Sequence, residues 1–197
     1  TMAVTFEELK AVAEGTELPF VCDPERQLLL FAGLGSDERI YHLLVKWVEN
    51  GEALYFRVPF LAVVPQEHPM FGKVLTVLMT ENDRVKIGRF CYDPDDGEIY
   101  LDWFLPLEDA PVTNQQLERC LKTLFALADE VKGRLEHLLE TGEDLPPERQ
   151  GLRGLLRRLL TSTPLSEREE VRLRRLLRNL EAGNAEGSER TEEIADL

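Results

Sequence analysis

The chain has 197 residues, of which 43% are hydrophobic and 30% are charged, and this favours one soluble domain with a packed core. Its net charge of −14 argues against nonspecific binding to nucleic acid or anionic membranes, because both are negatively charged. No apolar run approaches the ~20 residues of a membrane-spanning helix, and the first residues lack the basic and apolar regions of a signal peptide. We therefore expect a soluble, cytoplasmic protein.

The N-terminal segment predicts a helix followed by short strands. Thr5 and Glu8 have the spacing of a capping box, and Gly15 suits the position after a helix end. Two short apolar runs, 18–22 and 27–32, then predict strands separated by a turn.

A β-hairpin is predicted around Asn50-Gly51, which separates the strand-like runs 40–49 and 52–60. This dipeptide favours a type I′ turn, because both of its central positions need a positive φ. The first run has one almost entirely apolar face, which predicts a sheet covered mostly on one side; its members are Tyr41, Leu43, Val45 and Trp47.

A short helix over 69–82 and a second hairpin follow, the hairpin with strands at 85–92 and 98–105. The turn between these strands contains Asp93-x-Asp95-x-Gly97, which partly matches a calcium-binding loop. Such a loop needs a glutamate at its twelfth position, and that position is Phe104. Chain reversal is therefore the preferred interpretation of the acidic turn.

A long helix is predicted from Thr113, which can form a second capping box with Gln116, to Thr141-Gly142. Apolar residues within it step alternately by four and three positions, which is a heptad pattern: Leu117, Leu121, Leu124, Ala128, Val131, Leu135 and Leu138.

The C-terminal part has a different composition. Residues 149–182 contain 9 Arg, 4 Glu and no Lys, whereas residues 183–197 contain 1 Arg and 5 acidic residues. Leucine-rich patterns predict helices at 149–160 and 167–180 that form a helical hairpin. We expect three regions: an α+β domain over 1–142, an Arg-rich helical hairpin over 143–182 and a disordered acidic tail over 183–197.

No residue pattern indicates catalysis, a metal or a cofactor. The three histidines lie on different predicted elements, and the three cysteines have no CxxC spacing and occupy apolar contexts in which free cysteine is usually buried. Phosphate-binding loops, nucleophile elbows and paired catalytic carboxylates are not recognisable. We therefore predict a protein that is not an enzyme and binds neither metal nor cofactor.

Several residues between 59 and 131 resemble the sequence pattern of the YbjN family, whose fold is like that of type III secretion chaperones. They are Pro59, the Asn82-x5-Gly88-x-Phe90 spacing, Tyr92, Gly97-Glu98, Leu105-Pro106-Leu107, and Glu108-Asp109-Ala110 before Thr113. The resemblance implies an α+β domain with a curved antiparallel sheet flanked by helices, commonly dimeric and protein-binding.

An arginine cluster in the C-terminal hairpin is the candidate interaction surface: Arg153, Arg157, Arg158, Arg172, Arg174, Arg175 and Arg178. The side chains could bind phosphates through bidentate contacts. They could instead solvate the polar helix face and form pairs such as Glu170 with Arg174. A third possibility is docking of the basic hairpin on the acidic body, in the same chain or in a second protomer.

Together these patterns predict a non-enzymatic protein-binding module, either chaperone-like or a regulatory adaptor. It would form a homodimer and hold an unidentified protein partner by strand addition or by helix-in-groove contact. The alternative is a regulatory factor that binds nucleic acid or a ribonucleoprotein through the Arg-rich helices.

Overall fold

The computed structural model describes residues 4–36, 38–145, 160 and 170–178. The elements follow one another in the order α1 (Phe6–Glu14), β1 (Phe20–Asp23), β2 (Leu28–Leu34), β3 (Ile40–Val48), β4 (Ala53–Val63), α2 (Phe71–Arg84), β5 (Arg89–Tyr92), β6 (Glu98–Pro106) and α3 (Asn114–Thr141). Residues 170–178 are also helical. Most of the predicted C-terminal hairpin and the whole acidic tail lie outside the described residues.

The six strands form one antiparallel sheet in the order β1-β2-β3-β4-β6-β5. The first four strands are neighbours in sequence and in space, joined by short turns. β6 returns to the side of β4, and β5 becomes the outermost strand beyond it. This arrangement confirms the predicted α+β class with an antiparallel sheet flanked by helices.

The two predicted capping boxes are both present. The Thr5 hydroxyl accepts a hydrogen bond from the Glu8 N–H, and the Glu8 side chain accepts one from the Thr5 N–H. Thr113 and Gln116 form the same two bonds. Gly142 ends α3 in the left-handed conformation at φ 76°, where glycine has no Cβ penalty. Local sequence therefore sets the ends of α3 as predicted.

The hydrophobic core lies between the three helices and one face of the sheet. Every residue of the predicted heptad stripe on α3 is fully buried, and so are inward-facing strand residues such as Leu43, Val45 and Phe56. Burial alternates along the strands, so the opposite face contributes no residue to this core. The prediction of a sheet covered on one side is confirmed for the residues that the structure describes.

Three local predictions need correction. The β3–β4 connection has four residues rather than two, because Val48 pairs with Ala53; Asn50 and Gly51 do have positive φ, and Glu49 has it too. α2 begins at Phe71 rather than at position 69, after two tight turns. β5 begins only at Arg89, because the preceding segment packs on the core instead of pairing.

Ion pairs and hydrogen bonds connect α3 to α2 and to the sheet. Arg134 on α3 forms ion pairs with Glu81 on α2 and with Asp144 beyond the end of α3. The hydrogen bonds to Asp144 outweigh burial and raise the pKa of Arg134, and the same contacts lower the pKa of Asp144. Asp129 on α3 accepts hydrogen bonds from the Ser36 backbone at 3.0 Å and from the Tyr41 hydroxyl at 3.1 Å.

Candidate interaction surface

The face of the sheet opposite the core, here called the outer face, combines two chemistries. Strand register aligns one residue from each strand in a row across it: Val21, Leu30, Leu44, Arg57, Asp102 and Arg89. The first three members are apolar and the last three are charged. In this row the division falls between β3 and β4; in other rows the exposed polar residues His42 and Lys46 lie on β3, and Phe104, which is 42% exposed, lies on β6.

The apolar half of the outer face lies on β1, β2 and β3. Val21, Leu34 and Ile40 are 69%, 67% and 61% exposed, and the half-buried members of the patch are Leu28, Leu30, Ala32 and Leu44. None of these residues belongs to the hydrophobic core. Because clustered exposed apolar side chains are common at protein interaction sites, this half is a candidate interaction surface.

The charged half lies on β4, β6 and β5 and comprises Tyr55, Arg57, Arg89, Cys91, Glu98, Tyr100 and Asp102. Arg57 donates a hydrogen bond of 2.6 Å to the buried Glu98, and its guanidinium lies 3.8 Å from the centre of the Tyr100 ring. Burial, the largest single influence, lowers the pKa of Arg57, but Glu98, Tyr55 and Tyr100 together outweigh it and raise the pKa. The charge of Glu98 is thus compensated within the sheet.

Asp102 is the centre of the second charged group. Arg89 donates to its two oxygens at 2.7 and 3.2 Å, and the Tyr55 hydroxyl donates to it at 3.2 Å. Burial and the nearby Asp102 carboxylate raise the pKa of Tyr55 to about 12. The same two causes raise the pKa of Cys91, whose sulfur lies 3.7 Å from Asp102. Cys91 therefore occupies a polar site and not the apolar surroundings expected for it.

A β-bulge in β4 presents a phenylalanine to solvent. Val58 pairs with Leu101 and Ala62 with Ile99, so residues 59–61 bulge out between the two pairs. Phe60 has a φ of 52°, which is unusual for a bulky residue. Its backbone N–H donates to Glu98 at 2.9 Å, and its side chain is 63% exposed. The buried Glu98 thus supports both Arg57 and the bulge.

The two edges of the sheet also differ. At the β5 edge, the Asn82 side chain donates to the Phe90 carbonyl at 3.0 Å and accepts from the Phe90 N–H at 2.7 Å. Asn82 therefore forms the hydrogen bonds to the Phe90 backbone that an additional strand would otherwise form. At the β1 edge, antiparallel alternation directs the backbone groups of Phe20 and Cys22 away from β2, and no described residue hydrogen-bonds to them.

The predicted arginine cluster is only partly placed. Arg153, Arg157 and Arg158 lie outside the described residues. On the helical segment 170–178 the side chains of Arg172, Arg175 and Arg178 are exposed. Arg174 donates to Glu170 at 2.8 and 3.0 Å, which confirms that predicted pair. Within the same segment Leu177 is buried and Leu176 is 46% exposed.

The acidic turn at 93–97 reverses the chain, as predicted. Asp93 and Asp96 accept hydrogen bonds from the backbones of Asp95 and Glu98 at 3.0 and 2.9 Å, and Gly97 has a φ of 78°. Among the described residues, no group of three or more His, Cys, Asp or Glu side chains is arranged to hold a metal ion. Within the same ranges no helix has the length and apolar character needed to cross a bilayer.

Sequence reasoning missed the outer-face network and the exposed Phe60. Alternation along β4 places Tyr55 and Arg57 on the same side of that strand, and alternation along β6 does the same for Glu98, Tyr100 and Asp102. This much was visible in the sequence. The pairing of these faces depends on the register between β4 and β6, in which Arg57 lies opposite Asp102; Glu98, to which Arg57 donates a hydrogen bond, is 41 positions away along the chain. No local signal encodes that register.

Comparisons with known proteins add little to this description. Scans against protein-family models and against curated proteins give no match. Among solved structures, the chain is similar to the crystal structure of YbjN from E. coli, with 12% identity, a TM-score of 0.47, and coverage of 74% of this chain and 98% of that chain. Such values assign neither family membership nor activity, so the resemblance to the YbjN family stays a prediction.

Proposed function

We propose that this protein is a non-enzymatic protein-binding module, chaperone-like or a regulatory adaptor, that engages other protein surfaces through its outer face. One observation carries the proposal: α1, α2 and α3 pack on one face of the sheet, and the other face exposes Val21, Leu34 and Ile40 to solvent. Leaving three large apolar side chains in water is unfavourable unless a partner covers them.

The chemistry of the charged half supports a binding role over a catalytic one. Glu98 and Asp102 are each engaged by an arginine, so both carboxylates already have partners within the chain. Burial raises the pKa of the Cys91 and Cys120 thiols, which disfavours the nucleophilic thiolate form. These features support a role in binding rather than in catalysis.

We propose a second copy of the chain as the occupant of the apolar half. β1 and β3 flank β2 symmetrically, with Asp23 and Lys46 on either side of Leu28 in one cross-strand row. A two-fold axis along β2 would place Val21 opposite Leu44 of the second copy, and Asp23 opposite Lys46 of the second copy. This arrangement would bring apolar residues together and place opposite charges across from each other, as a symmetric dimer requires.

The molar mass in solution, measured by light scattering over a concentration series, tests this dimer. Lys46→Glu should weaken association by placing like charges opposite each other, and adding Asp23→Lys should restore it. Lys86→Glu, an equal charge change at another exposed position, should leave the mass unchanged. A molar mass that stays monomeric at all concentrations would contradict the proposed dimer. So would an equal change in mass for Lys46→Glu and Lys86→Glu.

A second candidate function rests on the three exposed arginines of 170–178. Arg172, Arg175 and Arg178 recur at every third position, and their guanidinium groups could contact successive phosphates of a nucleic acid. A mobility-shift assay across a salt series tests this candidate. Replacing the three residues by glutamine should remove binding, and an affinity that does not fall with salt would rule out phosphate contacts.

A further inference from the structure

The bulge in β4 lies at a corner of the molecule that combines apolar and acidic groups. Phe60 and Val63 are 63% and 56% exposed. Val63 pairs with Glu98 at the start of β6, and the Val64 N–H donates to the Gly97 carbonyl at 2.9 Å. The end of β4 therefore lies directly beside the acidic turn of the β5–β6 hairpin.

Acidic residues lie in the segments that adjoin this apolar corner. Glu67, Asp95 and Asp96 are exposed. Burial raises the pKa of Tyr92, and the nearby Glu67, Asp93 and Asp96 raise it further; the Tyr92 hydroxyl donates to the Val64 carbonyl at 3.1 Å. No arginine or lysine of the described residues forms an ion pair of 4.0 Å or less with these carboxylates. Their negative charge is thus available to a partner.

The exposed phenylalanine is held in place rather than loosely attached. Its positive φ is stabilised by the hydrogen bond from its N–H to Glu98, and Glu98 is fixed in turn by Arg57. An aromatic side chain has few rotatable bonds and loses little conformational freedom on binding, which is one reason aromatic residues are enriched at interfaces. Backbone strain of this kind concentrates at functional positions.

We infer that this corner, Phe60 and Val63 with Glu67, Asp93, Asp95 and Asp96, binds a basic amphipathic segment of a partner protein. Phe60 and Val63 contact the apolar side chains of that segment, and the carboxylates pair with its lysines or arginines. The inference rests on the proposed protein-binding function and gives it a partner chemistry. It uses a surface separate from the proposed dimer face on β1, β2 and β3.

Synthetic peptides test the inference on the full chain. The probes are a fluorescent amphipathic peptide of Leu and Lys and a counterpart with Glu in place of Lys, and binding is followed by fluorescence anisotropy. The Lys peptide should bind, and its affinity should fall with salt because exposed charges are screened. Absence of binding, or equal binding of the Glu peptide, would overturn the inference.

Two pairs of matched variants locate the site. Phe60→Asn, chosen because asparagine tolerates a positive φ, should weaken the Lys peptide about tenfold, the loss typical of an aromatic anchor. Met79→Asn, at an equally exposed residue of α2, should not. Glu67→Gln combined with Asp96→Asn should weaken binding severalfold more than Glu7→Gln combined with Asp83→Asn. Equal effects within either pair would show nonspecific attraction and overturn the inference.

Measuring the mass of the same samples separates this inference from the proposed dimer. If the chain dimerises and its Phe60→Asn variant binds the Lys peptide normally, the inferred peptide site at the corner is wrong and the proposed dimer stands. If the chain is monomeric and its Phe60→Asn variant no longer binds the peptide, the proposed dimer is wrong and the peptide site at the corner is supported.

Discussion

Two halves of one sheet surface show opposite ways of presenting side chains to water. In the row that crosses all six strands, Val21, Leu30 and Leu44 form no polar contacts, whereas Arg57, Asp102 and Arg89 belong to ion pairs. The charged half satisfies its own groups within the chain. The apolar half gains stability only when another surface covers it.

This difference separates the roles expected of the two halves. Changes in the charged half should affect folding, because its buried carboxylates would lose their partners. Changes at the most exposed residues of the apolar half should affect association and leave folding nearly unchanged. The predictions below test this separation, from the largest expected effect on stability to the smallest.

Glu98→Ala should reduce the free energy of unfolding by about 3 kcal/mol, as expected when one partner of a buried, hydrogen-bonded ion pair is removed. The loss has two sources: the unpaired Arg57 guanidinium and the Phe60 N–H that no longer has its acceptor. Urea denaturation measures the change. Glu98→Gln keeps an acceptor for Phe60 and should lose less; a stability equal to that of the natural chain in both variants would contradict the proposed role of Glu98.

Asn82→Ala should cost about 1–2 kcal/mol, because it leaves the N–H and C=O groups of Phe90 without their side-chain partner. Hydrogen exchange of the Phe90 amide should accelerate in the same variant. Asn82→Asp retains the acceptor and should have an intermediate effect. Unchanged exchange at Phe90 would mean that Asn82 does not close the β5 edge.

Alkaline pH should destabilise the charged half through Tyr55. Its folded-state pKa of about 12 lies above the ordinary value of 10.0, so the unfolded chain ionises first. The contribution of Tyr55 is fully present below pH 10 and is lost as the pH rises through 12. Tyr55→Phe should be less stable near neutral pH and should show a shallower decline across this window. Parallel declines in the two proteins, followed by urea denaturation, would contradict this assignment.

Val21→Thr and Ile40→Thr should each change the unfolding free energy by less than about 0.5 kcal/mol in dilute solution, since both side chains are already exposed. The same variants should weaken the self-association measured by light scattering. A large loss of folding stability in either variant would show that the apolar half belongs to the folding core, and the separation between the halves would fail.

Local signals in the sequence predicted the elements well where a short segment decides its own structure. Thr113 and Gln116 were recognised as a capping box, and the heptad stripe of α3 proved to be its buried face. The β3–β4 connection was predicted less accurately. Asn50-Gly51 indicated the turn, but the pairing of Val48 with Ala53 fixed its length, and that pairing depends on two whole strands.

The candidate surface depended on contacts that no single segment encodes. The spacing of Asn82 and Phe90 was visible in the sequence, but its meaning became clear only when α2 packed beside β5 and placed the amide on the strand edge. The exposure of Phe60 likewise depends on the irregular register between β4 and β6.

By itself the sequence determined the helices, their caps, the hairpins and the apolar stripe of α3, because these features follow from interactions between residues a few positions apart. Tertiary structure alone decided that α1, α2 and α3 cover the same face of the sheet. It also brought Glu98 to Arg57 and Phe60, and left Val21, Leu34 and Ile40 in water. These outcomes depend on strand order and register, which bring together side chains that are distant along the chain.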